Sequence, residues 1–482
     1  DADRINTADF ENPKAAATRL KGKYSEWDLL IDRLERRLQG MEVRYPIDEF
    51  RHRISAQCRE NAARAKGIYT LTVPTGGGKT LASLRFALHH VKKYGMDRVI
   101  YVIPFTSIID QNADVVRKIL EPSGVERGSV VLEHHSNLTP EEQTWRSKIL
   151  SENWDAPVIY TTNVQLLETL FGAGTRGARR MHQLANAVLV FDEIQTLPIN
   201  CIHLFCNAIN FLVEHCGSTV VLCTATQPLL NRVEQSKGAL RMTADSEIMP
   251  DVAKLFADLK RVEVVNRRKP GGWANEEIAR LAGDEAAQSK SCLVIVNTKR
   301  SAQALFQLCR NETQIPVYHL STSMCAAHRR ERLGEIRKRL ENAERTLCIS
   351  TQLIEAGVDI DFGAVIRFMA GLDSIAQAAG RCNRNGRSTL GRVHIVNPSD
   401  ESIDRLKDID SGKNATARLL DEYEKQSAGF GNDLLGPEAM EWYFNYYFFD
   451  RRSDMDYPVS AGTLGHDDTL LNLLFVNPIA TE

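Results

Sequence analysis

The sequence predicts an α/β fold made of two tandem domains, each built on a parallel β-sheet. Short runs rich in β-branched residues recur along the chain, and each is followed by a polar or helix-patterned stretch. Continuous apolar strands that alternate with helices are typical of a parallel sheet covered on both faces. The pattern begins again after about residue 260, which indicates a second domain of the same kind.

Ten runs read as strands, five in each half of the chain. They are 68–73, 98–103, 157–162, 187–191 and 219–224, then 261–265, 292–296, 346–350, 364–369 and 392–396. The helix after the first run has four apolar residues on one face and ends in KKYG, whose basic residues and glycine favour a helix end. The apolar face consists of Leu81, Leu84, Leu88 and Val91.

Domain boundaries follow from these runs. We expect the first α/β domain at residues 46–260 and the second at 261–398. Residues 399–440 are polar and read as a linker with a surface helix, and residues 441–482 as the start of a C-terminal accessory region. The chain begins with Asp1 and not with Met, so we expect its natural start to lie upstream.

The amino-acid composition limits the classes of protein to which this chain can belong. The 482 residues include 60 basic and 62 acidic side chains, and the apolar and charged shares of 43% and 25% are those of globular proteins. The apolar runs are strand-sized, well short of the ~20 residues that cross a bilayer. Ten cysteines without a CxxC pair indicate a reduced, cytoplasmic protein. With a net charge of −2, nucleic-acid binding would need a local basic groove.

The strongest single motif is VPTGGGKT at residues 73–80, between the first strand and its helix. Three glycines allow backbone N–H groups to surround phosphate oxygens at the helix N-terminus. Lys79 would reach the β- and γ-phosphates of a nucleotide, and Thr80 would ligate Mg²⁺. The common phosphate loop has Gly where this chain has Val73, whereas PTGxGKT is the helicase form of the loop. The residues assigned to nucleotide binding here are Thr75, Gly76, Gly77, Gly78, Lys79 and Thr80.

A second motif, VLVFDEIQ at residues 188–195, is an apolar strand that ends in two carboxylates. An Asp at the end of a strand beside a phosphate loop can hold Mg²⁺, and an adjacent Glu can deprotonate the attacking water. We assign the metal role to Asp192 and the base role to Glu193. A strand-terminal Asp–Glu pair by itself is often only a helix cap, so this assignment depends on the phosphate loop.

The second domain contributes QAAGRCNRNGR at residues 377–387. Arg381 and Arg384 are three residues apart and share a helix face or turn. Guanidinium groups presented across a domain cleft can stabilise a transferring phosphoryl group, an effect worth roughly 10³–10⁵ in rate. An arginine-rich, solvated helix is the alternative, and the order of the motifs decides between the two readings.

Taken in order, the motifs resemble those of a superfamily 2 helicase. Within that superfamily the chain is most similar to the CRISPR-associated helicase-nuclease of type I systems, and DEAD-box proteins carry DEAD where this chain has DEIQ. The motifs that carry the resemblance are PTGGGKT, PFTSIIDQN (104–112), YTTNVQLL (160–167), FDEIQ, TAT (224–226), VNTKRSA (296–302), STQLIEAGVDID (350–361) and QAAGRCNRNG. They extend over about 350 residues.

The resemblance implies two RecA-like domains that bind and hydrolyse ATP with Mg²⁺ and move along single-stranded DNA in the 3′ to 5′ direction. It implies recruitment by the RNA-guided Cascade surveillance complex in antiviral defence. Gln195 and Gln377 belong to its hydrolytic motifs, TAT would couple hydrolysis to domain movement, and Gly357 and Asp359 would lie on the ATP side. Gln57 would be the glutamine that reads adenine.

The resemblance also implies contacts with the backbone of the nucleic-acid strand. Hydroxyl and amide groups at strand ends can hold phosphates without reading bases, although threonine is also an ordinary strand and turn residue. The residues assigned to this contact are Phe105, Thr106, Ser107, Thr161, Thr162, Asn163, Thr298 and Thr351.

The opening sequence DADRINTADF is similar to the end of the HD nuclease domain of that family, in which Asp3 would be a metal ligand. The other ligands of that nuclease, and the divalent transition metal ions that they hold, are not expected in this chain. One carboxylate cannot hold two metal ions, so we do not expect this chain to cut DNA by that route. The adjacent pairs His89–His90 and His134–His135 would diverge on a helix and are interpreted as structural.

Two further segments and three alternative functions remain open. Residues 175–183 carry three arginines that suit a phosphate track or a solvated face, and the seven aromatic residues of 442–449 suit core packing, base stacking or partner docking. A superfamily 2 DNA or RNA helicase of another pathway is the first alternative. A nucleotide-gated clamp without turnover is the second, and a structural subunit with a vestigial ATP site is the third.

Overall fold

The computed structural model describes residues 24–459, apart from 105, 123, 126–127, 136–152, 173–174 and 356, and also residues 6–7, 10–11, 13 and 468–469. Two six-stranded sheets form the centre of the two domains, and the strand pairs within both sheets are parallel. Flanking helices cover both sheets. The predicted α/β fold with two tandem parallel sheets is thereby confirmed.

The first sheet has the strand order β1-β6-β5-β2-β4-β3. Its strands are β1 (Ile68–Thr72), β2 (Arg98–Ile103), β3 (Val131–His134), β4 (Val158–Thr162), β5 (Ala187–Asp192) and β6 (Thr219–Thr224). The helices of this part of the chain are α1 (Trp27–Gln39), α2 (Pro46–Asn61), α3 (Lys79–Tyr94), α4 (Thr106–Leu120), α5 (Asn163–Phe171), α6 (Thr175–Met181), α7 (Ile202–Glu214) and α8 (Val252–Asp258). Two buried apolar clusters lie on the two faces of the sheet.

The second sheet has the strand order β7-β12-β11-β8-β10-β9. Its strands are β7 (Val262–Asn266), β8 (Ser291–Val296), β9 (Val317–Leu320), β10 (Thr346–Thr351), β11 (Ala364–Phe368) and β12 (Gly391–Val396). Its helices are α9 (Asn275–Gln288), α10 (Lys299–Glu312), α11 (Ala326–Glu341) and α12 (Leu372–Ala379). All ten predicted strands are present in the two sheets, and each bound differs from its prediction by no more than one residue.

Two edge strands were not predicted. β3 and β9 have four residues each and lie at the outer edges of their sheets. Both contain a histidine and are less uniformly buried than the central strands. A short, half-exposed edge strand lacks the continuous apolar run by which the other ten were recognised.

The C-terminal part of the described chain packs on the second domain. It contains α13 (Lys407–Lys425) and α14 (Pro437–Asp450), and a short antiparallel pair, β13 (Pro458–Val459) and β14 (Asp468–Thr469), follows. Tyr443 and Phe444 of the predicted aromatic segment are buried against α13 and β12 side chains, whereas Phe449 is 75% exposed. Within the described part of the chain, no helix has the length and apolarity needed to span a membrane.

His90 is an internal acid-sensitive group of the first domain. Its Nδ1 lies 2.9 Å from the carbonyl oxygen of Ala62 and its Nε2 lies 2.9 Å from Thr219 Oγ1. Because a carbonyl can only accept, Nδ1 donates and Nε2 accepts from the hydroxyl, which defines a neutral ring. Burial lowers the pKa of His90 to about 4. The structural interpretation of this histidine agrees with these contacts.

This pKa predicts a pH dependence of stability. Because the folded pKa lies below the ordinary value, the unfolded chain binds more protons, and stability is lost as the pH falls from about 6.5 to 4. The loss should approach 3 kcal/mol at ~1.4 kcal/mol per pKa unit. Urea unfolding at pH 7 and 4.5 should show a smaller acid loss in His90→Gln than in the wild type. The His52→Gln variant, at an exposed histidine, should keep the full loss.

Candidate nucleotide cleft and nucleic-acid contacts

The predicted phosphate loop connects β1 to α3 at the carboxyl edge of the first sheet. Gly76 and Gly78 have φ values of +83° and +84°, a backbone conformation that glycine adopts without strain. A Cβ atom on Gly77 would lie 2.4 Å from Val73 Cγ1. Lys79 is the first residue of α3, so its side chain starts at the positive end of the helix dipole.

The two predicted carboxylates lie opposite this loop. Asp192 is the last residue of β5, and Glu193 follows it with a positive φ of +53°. Lys79 Nζ lies 3.3 Å from Glu193 Oε1, and Gln195 Nε2 donates to Glu193 Oε2 at 2.8 Å. Thr224 of the TAT motif donates to Gln195 Oε1 at 2.6 Å. The base candidate is therefore joined to Lys79 on one side and, through Gln195, to the TAT motif on the other.

Burial gives the two carboxylates different proton affinities. Burial and the neighbouring Glu193 raise the pKa of Asp192 to about 7 against the effect of Lys79. Burial also acts on Glu193, but the Lys79 ammonium and the Gln195 amide together lower the pKa of Glu193 below its ordinary value. Glu193 therefore remains ionised at neutral pH, as a general base requires.

Asp192 has an oxygen that suits a metal ion. Asp192 Oδ1 is buried and accepts no hydrogen bond from the described residues, and Oδ2 meets Asn112 Nδ2 at 3.5 Å. An unpaired buried carboxylate oxygen costs free energy, and a hard divalent cation such as Mg²⁺ would satisfy it. Together with the position of Thr80 in the first turn of α3, the donor set fits Mg²⁺.

The segment after α12 in the second domain contacts the phosphate loop directly. A Cβ atom on Gly380 would lie 2.2 Å from Thr75 Oγ1, so the two domains meet here without room for a side chain. Arg384 runs beside Gly76, where a Cβ atom would be 3.5 Å from Arg384 Cγ. Its Nε lies 2.9 Å from Asp359 Oδ1.

Arg381 faces the base candidate from the second domain. It is buried and donates through Nε to the carbonyl of Ile354 at 3.0 Å and through Nη2 to that of Glu355 at 2.6 Å. Burial and the neighbouring Arg384 lower the pKa of Arg381 to about 9, and Glu193 is close enough to oppose the shift. The structure thus brings both predicted arginines to the cleft that holds Lys79 and Glu193.

A buried ion pair connects this side of the second domain with its VNT loop. Arg367 Nε lies 2.7 Å from Glu355 Oε1, and both side chains are almost wholly buried. Arg367 Nη1 donates to Asn297 Oδ1 at 2.6 Å. Since Arg381 binds the main chain of Glu355, a continuous set of contacts joins the cleft to the loop that carries Thr298.

Two arginines at the cleft were missed by the sequence motifs. Arg51 of α2 donates from Nε to the carbonyl of Gly76 at 2.9 Å and pairs with Asp48 at 2.8 Å. Arg261, just before β7, donates from Nη2 to the carbonyl of Thr75 at 2.6 Å. The sequence pointed to the position of Arg51 only through Gln57, which lies in the same helix. Arg261 lies outside every recognised motif.

Four other residues were assigned to the nucleotide site, and their contacts give less support for those roles. Gln57 is partly buried on α2, and its carbonyl accepts from Asn61 Nδ2 at 2.9 Å. Gly357 has a φ of +70°, and Gln377 is buried on α12. Asp359 is exposed and binds Arg384. The roles assigned to these four residues stay predictions.

Several hydroxyl groups assigned to the nucleic-acid strand have partners within the protein. Thr161 is fully buried and donates to the carbonyl of His134 at 3.3 Å. Thr162 and Thr298 are the N-caps of α5 and α10, and each hydroxyl accepts from the backbone N–H three residues on at 3.1 Å. These side chains would have to exchange a structural bond for a phosphate contact.

Thr351, at the end of β10, differs from them. Its hydroxyl is buried and makes no hydrogen bond to the described residues. Asn163 is the first residue of α5 and is buried, and Thr106 and Ser107 open α4. Phe105 and Asp3 lie outside the described residues. Among the residues that the structure does describe, no group of three or more potential ligands forms a metal site.

Two family models match this chain, and their ranges contain the phosphate loop, the two carboxylates and both predicted arginines of the cleft, but not Arg51 or Arg261. The model described as DEAD/DEAH box helicase matches residues 53–235, and the model described as CRISPR-associated nuclease/helicase Cas3, C-terminal, matches residues 288–387. The CRISPR-associated nuclease/helicase Cas3 of Haloferax volcanii is 25% identical over an alignment that covers 76% of this chain. Together these matches support a helicase similar to Cas3.

A second curated relative and a solved structure are also Cas3 proteins. A Cas3 from Methanothermobacter thermautotrophicus is 26% identical over 74% of the chain. The chain spans about half the length of these two Cas3 relatives, with 52% and 43% of their lengths covered. The crystal structure of T. fusca Cas3 with AMPPNP shares the fold at a TM-score of 0.62 and 17% identity, over 83% of this chain and 52% of that one.

Proposed function

We propose that this chain is the ATP-driven motor of a Cas3-family protein and moves along single-stranded DNA. The observation that carries the proposal is the ion pair of Glu193 with Lys79 of the first domain, in the cleft to which the second domain brings Arg381. A nucleotide clamp without turnover would not need an ionised base in this position. A vestigial ATP site is likewise disfavoured by the intact contacts between both domains.

The chemistry follows from the residues around the cleft. Gly76 and Gly78 would present backbone N–H groups to the phosphates, and Lys79 would add a positive charge. The N–H of Gly77 donates instead to the carbonyl of Pro74 at 3.0 Å. Mg²⁺ held by Asp192 and Thr80 would neutralise charge on the β- and γ-phosphates. Glu193 accepts the proton of the attacking water.

The second domain completes the site only when the cleft is closed. Arg381 and Arg384 approach the phosphate loop from the second domain and would stabilise the charge on the transferring phosphoryl group. Because these arginines and Lys79 belong to different domains, hydrolysis is tied to domain movement. Repeated cycles can supply the roughly 1.4 kcal/mol per base-pair step that unwinding requires.

The biological setting is proposed from the similarity to Cas3. This similarity supports a role in CRISPR interference, in which the RNA-guided Cascade complex recruits the motor to opened target DNA. Movement from 3′ to 5′ and delivery of the strand to an HD nuclease domain belong to the same proposal. Helicase action on RNA in another pathway is the alternative that the following experiment separates.

ATP hydrolysis measured alone, with single-stranded DNA and with single-stranded RNA tests the proposal. We expect strong stimulation by DNA that is lost in Lys79→Ala and Glu193→Gln. Stimulation by RNA alone would move the protein to another branch of superfamily 2 helicases. Binding of DNA without turnover under all conditions would make the chain a nucleotide-gated clamp.

Thr351 gives a specific prediction for strand binding. Replacing Thr351 by Val keeps the β-branched shape and removes the unpaired buried hydroxyl. We expect DNA affinity to fall about tenfold to 100-fold, since one hydrogen bond to a charged phosphate contributes about 1.5–3 kcal/mol. Basal ATP hydrolysis and thermal stability should be unchanged or slightly higher.

Thr161→Val is the matched control for this variant. It breaks the bond between the Thr161 hydroxyl and the carbonyl of His134 and should lower stability by about 1 kcal/mol while DNA affinity stays constant. Fluorescence anisotropy with a labelled strand and thermal unfolding separate the two effects. Equal DNA affinity of Thr351→Val and the wild type would remove Thr351 from the strand contact.

A further inference from the structure

Arg261 spans the cleft between the two domains. Its Nη2 donates to the carbonyl of Thr75 in the phosphate loop at 2.6 Å, and its Nη1 donates to the carbonyl of Arg384. A Cβ atom on Gly76 would lie 3.2 Å from Nη1, so the guanidinium lies directly against this glycine. One side chain therefore joins a backbone carbonyl of each domain.

The backbone of Arg261 is anchored in the second domain. Its carbonyl accepts from the backbone N–H of Gly391 at 2.9 Å and from Asn383 Nδ2 at 3.0 Å. Asn383 has a positive φ of +46° and lies in the turn that presents Arg384. Arg261 and this turn thus form one local unit, from which only the guanidinium crosses to the first domain.

Three arginine side chains meet at Gly76, and Arg261 differs from the other two. Arg51 pairs with Asp48, and Arg384 pairs with Asp359. Arg261 has two carbonyl partners instead, and its Nε makes no hydrogen bond to the described residues. Burial, with Arg384 and Arg51 nearby, lowers the pKa of Arg261 to about 10. The hydrogen bonds to the carbonyls of Thr75 and Arg384 therefore determine the position of the Arg261 guanidinium.

We propose that Arg261 is a positioning residue for Arg384 and holds the turn of Arg384 against the phosphate loop by bridging the carbonyls of Thr75 and Arg384. The inference rests on the proposed ATPase function, because it gives Arg384 a task at the phosphates. Arg261 contacts carbonyl groups and acts through Arg384, so it should affect the hydrolytic step more than nucleotide binding. An arginine suits this bridge because its planar fork presents two parallel donors.

Steady-state ATP hydrolysis with saturating single-stranded DNA tests this role. Arg261→Gln should lower kcat 10-fold to 100-fold and change the KM for ATP less than threefold. Arg261→Lys keeps the charge but cannot reach both carbonyls, so it should remain close to Arg261→Gln. Arg267→Gln, at the other end of β7 and with its Nε donating to His394 Nδ1, should behave as the wild type.

A double variant separates positioning from a direct contact. If Arg261 acts through Arg384, then kcat of Arg261→Gln/Arg384→Gln should be within twofold of Arg384→Gln alone. Multiplied defects, a rise in KM without loss of kcat, or full activity of Arg261→Lys would each overturn the proposal.

A distance measurement tests the bridge without ATP hydrolysis. Nitroxide labels on the exposed Cys325 and on Glu60→Cys, in a Cys216→Ser background, report the separation of the two domains. Without nucleotide, Arg261→Gln should broaden the distances or shift them outward by several ångströms, and Arg267→Gln should not. An unchanged distance distribution in Arg261→Gln would refute the bridge, whatever the rate of ATP hydrolysis in that variant. A wild-type protein without ATPase activity would refute only the proposed function.

Discussion

Replacing Glu193 by Gln should lower DNA-stimulated ATP hydrolysis by about 10²–10⁴-fold, the contribution that a positioned general base makes. Gln keeps the shape of the side chain and its bond to Gln195 but cannot accept the proton of water. ATP affinity should fall little or rise, because Lys79 loses its ionic partner at 3.3 Å and becomes free for phosphate. Single-turnover hydrolysis and nucleotide-binding titration measure the two effects separately.

Lys79→Ala is the contrasting variant, since it should lose both nucleotide affinity and hydrolysis. Glu214→Gln, an exposed substitution at the end of α7, should leave both unchanged. If Glu193→Gln retained more than a tenth of wild-type turnover, then another group would have to accept the proton, and the assignment of Glu193 as base would be wrong.

Gly380→Ala should lower DNA-stimulated ATP hydrolysis about 100-fold while leaving the fold intact. The residue has helical φ and ψ values of −63° and −6°, which alanine also adopts. Its new Cβ would lie 2.2 Å from Oγ1 of Thr75, 2.6 Å from Cβ and 3.0 Å from Cγ2, so rotation of Thr75 gives no relief. The two domains of the variant therefore cannot close fully against each other. A displacement of about 1 Å at Arg381 and Arg384 would cost on the order of 100-fold in kcat.

The matched control is Gly334→Ala, a helical glycine of α11 with open space at the Cβ position. Alanine should add up to about 1 kcal/mol of stability there and leave kcat unchanged. Thermal unfolding and DNA-stimulated hydrolysis of both variants decide the matter. Normal kcat in Gly380→Ala would show that hydrolysis does not require this contact between the domains.

The central strands and the phosphate loop were predictable because their signals are local. A buried parallel strand is apolar on both faces, and a glycine loop between such a strand and a helix has few other uses. β3 and β9 were missed because each has only four residues, and polar side chains interrupt their apolar runs. The predicted contact of Thr161 with nucleic acid would compete with the hydrogen bond that its hydroxyl already donates to the carbonyl of His134 in the neighbouring strand.

The sequence by itself determined the two parallel sheets, the identity of Lys79, Asp192, Glu193, Arg381 and Arg384 as candidates, and the family resemblance. Only the tertiary structure decided that Arg51 and Arg261 meet at Gly76 and that Gly380 has no room for a side chain. Arg261 and Thr75 are 186 positions apart. A motif records chemistry between near neighbours in sequence, whereas a hydrogen bond across a cleft depends on how two separately folded sheets are placed against each other.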